Sequence, residues 1–155
     1  MVAASAALFA VPFAAPASAL TSSVACAKEG SSLKSGKAVS TFATCTPASL
    51  ALGGTGVSPK TPPPGTKKGQ VALVITWKGG KGTTTMAFAF AVQAKLGKCK
   101  VGTTRVFITG SVKSATGAAA KITKKGEPVS ASSCVYATGP KVGQSSLEAG
   151  TKFKL

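Results

Sequence analysis

This chain predicts an all-β fold, a single antiparallel β-sandwich or barrel-like domain, and three observations carry that expectation. Residues 70–92 alternate large apolar with small or polar side chains at a period of two. Glycine and proline recur throughout, 18 and 9 of them in 155 residues, and they part the β-branched runs at intervals typical of sandwiches and barrels. The one helix-start signal, Ser145-x-x-Glu148, is stopped almost at once by Gly150.

Before the domain, residues 1–19 read as a secretory signal peptide. The segment is nearly all Ala, Val, Leu, Phe and Pro, and Ala17-Ser18-Ala19 is the small-x-small pattern cleaved by signal peptidase. Pro12 and Pro16 suit a cleavable leader better than a membrane anchor. No Lys or Arg precedes Lys28, so the basic opening usual in such a leader is missing. Cleavage after Ala19 leaves residues 20–155 as one disulfide-stapled β domain with no transmembrane segment.

Within that domain, residues 21–37 read as a polar Gly/Ser-rich entry tied down by Cys26. Residues 38–45 (AVSTFATC) are short, β-branched and bounded by Pro47, which predicts a strand. Residues 53–69 (GGTGVSPKTPPPGTKKG) predict a long Pro/Gly-rich surface loop with no central strand and a polyproline-II piece at 62–64. Next comes the clearest signal. Residues 70–77 put Val71, Leu73, Ile75 and Trp77 on one face, 78–82 (KGGKG) form a turn, and 83–92 put Met86, Phe88, Phe90 and Val92 on one face. That is a β-hairpin with a glycine-rich loop. Further strands are expected at 104–109, 128–137 and 151–155, the last with Lys152 and Lys154 outward. Residues 111–123 fit either a strand pair or a strand and a turn, and 145–148 predict at most one helical turn.

Cys26, Cys45, Cys99 and Cys134 all follow the leader, and an even count in an exported chain predicts two disulfides. Of three pairings, Cys26–Cys45 with Cys99–Cys134 is expected: both close moderate loops, each on one side of the proline-rich stretch. Zinc is disfavoured by the lack of His and of any C-x-x-C spacing. Ser23-Val24-Ala25-Cys26 is a poor lipidation signal, lacking a Leu-like residue three before the cysteine.

The charge is lopsided. Eighteen Lys and Arg105 face only Glu29, Glu127 and Glu148, for a net +16 and no Asp or His. A Ser or Cys nucleophile partnered by His therefore has no base. Two facing carboxylates, as in glycosidases, would have to come from three glutamates without a surrounding motif. These read as solvated surface residues paired with lysine. No cofactor, metal or catalytic residue is expected, and the chain reads as non-enzymatic.

Two motif matches are coincidental. Residues 78–85 (KGGKGTTT) lack a Ser or Thr directly after the Gly-Lys of a phosphate loop, and a strand follows rather than a helix. Ser31-x-x-Lys34 has none of the companion motifs of penicillin-recognising enzymes. The turn still offers amides and two lysines, so Trp77, Lys78 and Lys81 are the candidate binding loop. Nucleic acid is expected to be attracted only non-specifically, since nearly every cation is Lys rather than Arg. The aromatics Phe42, Phe88, Phe90, Phe107, Tyr136 and Phe153 read mainly as core on alternating strand faces.

An Ala-rich leader ending ASA, an early cysteine, Cys45-Thr46 after a first strand, residues 75–85 (ITWKGGKGTTT) and a terminal GTKFKL make up a recognisable ensemble. In this the chain resembles uncharacterised small secreted proteins of high-GC Gram-positive bacteria. The resemblance implies export and β structure and brings no activity. The functional expectation is a secreted or envelope-associated cationic domain held by anionic cell-wall polymers or a lipid surface. A secreted effector or inhibitor of another protein is the alternative.

Overall fold

The structure, a computed structural model, describes residues 20–63 and 65–155, so the expected leader at 1–19 and Pro64 lie outside the described residues. Nine strands follow one another: β1 (Ala25–Lys34), β2 (Lys37–Thr46), β3 (Gly54–Val57), β4 (Lys68–Trp77), β5 (Gly82–Val92), β6 (Thr104–Ala115), β7 (Pro128–Val135), β8 (Ser145–Leu147) and β9 (Phe153–Lys154). Each of β1 to β7 pairs antiparallel with its successor, and β8 pairs back onto β1. Eight strands thus close into a barrel, and β9 bridges β1 and β7 at one end. Of the two architectures expected from sequence, the barrel is the one adopted.

The β4–β5 hairpin forms as its alternation predicts. Val71 pairs with Phe88, Leu73 with Met86 and Ile75 with Thr84, which aims the large side chains inward. Gly69 pairs with Phe90, where a Cβ would lie 2.9 Å from the Phe90 ring, so the missing side chain makes room for the aromatic. β6 runs on to Ala115 with a register shift opposite Thr85 and Met86, and a short 3-10 turn spans Gly117–Lys121. Residues 111–123 are therefore a strand end and a turn. The terminal strand is present, with Phe153 buried and Lys152 and Lys154 outward.

Three expectations are overturned. Residues 25–34 are not a loose entry but β1, a full wall of the barrel. The loop expected over 53–69 contains β3, inserted between β2 and β4. Its Gly54 and Gly56 are buried and sit against Ile75, Leu73 and Phe42, where a Cβ at position 54 would come within 2.8 Å of Ile75 Cγ2 and of the Thr76 carbonyl. Glycine here permits close strand approach rather than breaking the strand. Residues 145–147 form β8 and not a helical turn, because pairing with β1 and β7 satisfies their backbone on both sides.

The two ends of the barrel differ. Leu50, Ile75, Trp77, Met86, Val112, Val129 and Leu155 pack solidly at the β4–β5 turn end. Ala119 of the 3-10 turn caps this end, its N–H donating to the Lys81 carbonyl at 2.8 Å. Trp77 Nε1 donates to Thr84 Oγ1 at 2.9 Å, so even the indole's polar edge is satisfied inside. The opposite end, where β1 turns into β2, is open.

Candidate functional site

An eight-stranded barrel has an interior just wide enough to be filled by side chains or to hold one small ligand. This one does both. Beyond the packed layer lies a cavity of about 430 Å³ that opens between the β1–β2 turn, residues 61–67 and residues 136–143. Closed ligand pockets typically occupy roughly 300–1,000 Å³.

Strand order sorts the lining into two unlike walls. Val71 and Leu73 of β4, Phe88 and Phe90 of β5, and Val106 and Ile108 of β6 make one side apolar. The other side carries hydroxyls in register: Ser40 of β2 lies opposite Ser31 of β1, and Ser31 opposite Ser145 of β8. The Ser31 and Ser145 hydroxyls are 2.7 Å apart and hydrogen-bonded. One step deeper, on the same inward faces, sit Glu29 and Ser133.

Glu29 is the electrostatic centre of this wall. Burial pushes its carboxyl up to about 7, against the counteracting hydrogen bonds of the Ser40 and Ser145 hydroxyls. Lys67, at the mouth, is the only cationic residue among those lining the cavity. Glu29 Oε2 and Ser133 Oγ are enclosed and have no hydrogen-bond partner among the described residues.

The other glutamates also depart from the solvated surface role expected of them. Glu148 is buried and receives hydrogen bonds from Lys98 N–H (2.8 Å), Ser132 Oγ (2.5 Å) and Arg105 Nε (2.8 Å), with Arg105 Nη2 at 2.8 Å completing an ion pair. Glu127 is buried and accepts from Lys124 N–H (2.9 Å) and the Ser23 hydroxyl (2.5 Å), holding the entry segment to the barrel. With so few acids and so many amide donors nearby, backbone N–H groups rather than lysines take most of these carboxylates. The three do not converge on one cleft: Glu29 alone lines the cavity.

The cysteines pair as expected, Cys26–Cys45 across β1 and β2 and Cys99–Cys134 from the β5–β6 loop to β7. The candidate binding loop lies at the closed end, away from the cavity. Lys78 is exposed there and Lys81 is half-buried, while Trp77 is 2 % exposed and turned inward. That loop offers lysines and amides but no indole face. Phe88 packs against the core as read from sequence and, with Phe90, also forms cavity wall, while Phe107 is on the outer surface under Arg105 at 4.5 Å.

No family model, curated protein or solved structure matches this chain. The functional reading therefore rests on the site itself. Sequence reasoning missed Glu29, Ser31, Ser40, Ser133 and Ser145. The one available signal was the alternation Glu29, Ser31, Leu33, which has the period of a strand with only its last member apolar.

Proposed function

We propose that this protein is a non-enzymatic carrier that holds one small amphipathic molecule inside its barrel. The single observation behind the reading is the two-walled cavity: an apolar side for a hydrocarbon or ring system, a hydroxyl and carboxyl side for a polar head. Each methylene moved from water onto the apolar wall contributes about 0.8 kcal/mol, so a chain of modest length suffices for micromolar binding. Two disulfides and a leader-like start support export, where such a carrier would collect or present its ligand.

The test is a titration with N-phenyl-1-naphthylamine, an uncharged dye that brightens in apolar surroundings. The protein should enhance its emission saturably, with one site per chain. Ala38→Trp and Val71→Trp, which push an indole into the cavity, should each weaken binding at least tenfold while thermal unfolding stays cooperative. Lys78→Ala and Lys81→Ala, at the far end, should leave it unchanged. Equal dye binding in the parent and both tryptophan variants would sink the proposal.

Attraction to anionic wall polymer or lipid belongs to the outer surface and accompanies the carrier role. Its support is the net charge of +16. Lys34, Lys37, Lys60 and Lys67 lie around the mouth and Lys78, Lys81, Lys121 and Lys124 around the closed end, a spread that favours undirected attraction over one docking face. Association with anionic vesicles should fade as salt approaches about 0.5 M.

A further inference from the structure

The polar wall constrains the ligand more than the volume does. Among the described residues, two buried side-chain polar atoms lack a hydrogen-bond partner, Glu29 Oε2 and Ser133 Oγ. Both belong to cavity-lining residues. They flank Leu147 of β8: Ser133 is its registered partner, while Glu29 lies on β1 next to Gly30, which pairs with Ser146. An enclosed acceptor left without a donor costs about 1–3 kcal/mol, more when charged, so a cluster of them inside an open cavity marks where a ligand completes the bonding. Contrast Glu148, which receives a backbone N–H, a hydroxyl and a guanidinium from the protein itself. Glu29 has only the Ser40 and Ser145 hydroxyls near it, and its Oε2 is left to find a donor elsewhere.

Resting on the carrier reading, we infer that the cavity selects an amphiphilic amine, its nitrogen seated against Glu29 within the hydroxyl tier and its apolar body along Phe88 and Phe90. Above pH about 7, where Glu29 is ionised, its carboxylate accepts hydrogen bonds only, so the head group must bring N–H or O–H to it. A cationic nitrogen brings both donors and opposite charge, and such charge-assisted bonds are roughly twice as strong as neutral ones. Ser31, Ser40 and Ser145, one step nearer the mouth, can take the nitrogen's remaining donors. A fatty carboxylate would place like charge against Glu29 in a poorly hydrated space.

The outer charge makes this selectivity easy to read. A surface of +16 repels ammonium and attracts carboxylate, so a preference for amine can arise only inside the barrel. At pH 8, where Glu29 is ionised, the experiment displaces N-phenyl-1-naphthylamine from the domain of residues 20–155 with dodecylamine, dodecanol and dodecanoate, each below its aggregation limit. Dodecylamine should displace the dye at a concentration at least tenfold below dodecanol, with dodecanoate weakest. In Glu29→Gln the amine should fall to the level of the alcohol, while dodecanol, whose O–H the glutamine carbonyl can still accept, should change less than the amine. Amine no better than alcohol in the parent protein, dodecanoate binding best, or an amine preference surviving in Glu29→Gln would each overturn the inference while leaving the carrier reading intact. If none of the three displaces the dye, the carrier reading itself falls. The ranking on the parent protein does not depend on how any variant folds.

Discussion

Glu148 and Glu29 sit in opposite environments and make opposite demands on pH. The Lys98 N–H, the Ser132 hydroxyl and Arg105 together hold Glu148 below its ordinary value of 4.5, outweighing its burial. Its contribution to stability is present above pH 4.5 and is lost as pH falls through its depressed folded value. Glu29 behaves the other way. Burial raises it from 4.5 to about 7, so the folded state takes up its proton more readily than the unfolded chain does. Stability therefore declines as pH climbs from about 4.5 to 7 and then levels off. Together the two groups place the maximum of melting temperature against pH near 4.5. Glu29→Gln should raise stability at pH 8 by on the order of 1–3 kcal/mol and change it little at pH 4. Thermal unfolding across pH 3–9 checks both; a flat profile above pH 5 in the parent protein would contradict the account of Glu29. Arg105→Met should cost about 2–4 kcal/mol at neutral pH, because it strips a buried carboxylate of its cation. Denaturant titration measures that loss.

At the level of the element, β3 is the part most sensitive to sequence. Four residues long, it is sandwiched between β2 and β4, and the close approach at Gly54 leaves no space for a Cβ. Gly54→Val should destabilise by about 1–3 kcal/mol through overpacking against Ile75 and Trp77, although valine has the higher strand propensity. A variant at least as stable as the parent would refute this close-packing account. The same strand explains what sequence reading could and could not recover. The β4–β5 hairpin was legible because its inward faces meet packed core or an apolar wall, so large side chains alternate with Thr and Ala. β3 was hidden because its inward positions are glycines, which ordinarily signal a loop. β1 and β8 were hidden for a different reason: their inward residues, Glu29, Ser31 and Ser145, face a cavity rather than a core. A wall that binds a polar head group has no hydrophobic alternation to reveal it. Cysteine pairing, by contrast, was recoverable as the preferred one of three choices, because moderate loop lengths and the proline-rich divide favour it.

Across the whole molecule, the barrel divides its interior between stability and binding. The closed half holds Trp77, Met86, Ile75 and Leu155 with the 3-10 cap, and β9 ties the C-terminus there, with Val24 and Leu155 exchanging backbone hydrogen bonds of 2.7 and 2.9 Å. The open half contributes little packing until something occupies it. Ligand binding should therefore act as an added piece of core. At a free ligand concentration of about 100 times Kd, mass action stabilises the folded state by about 2.7 kcal/mol, which for a domain of this size raises the melting temperature by roughly 5–15 °C. Dodecylamine or dodecanol followed by differential scanning calorimetry should show this rise in the parent protein. Ala38→Trp should melt near the unliganded parent temperature and shift little when either compound is added, since its indole already occupies the mouth and the packed half is untouched. A ligand-induced rise of equal size in Ala38→Trp would place the stabilising contact on the outer surface instead, because only a site outside the barrel is indifferent to a filled lumen.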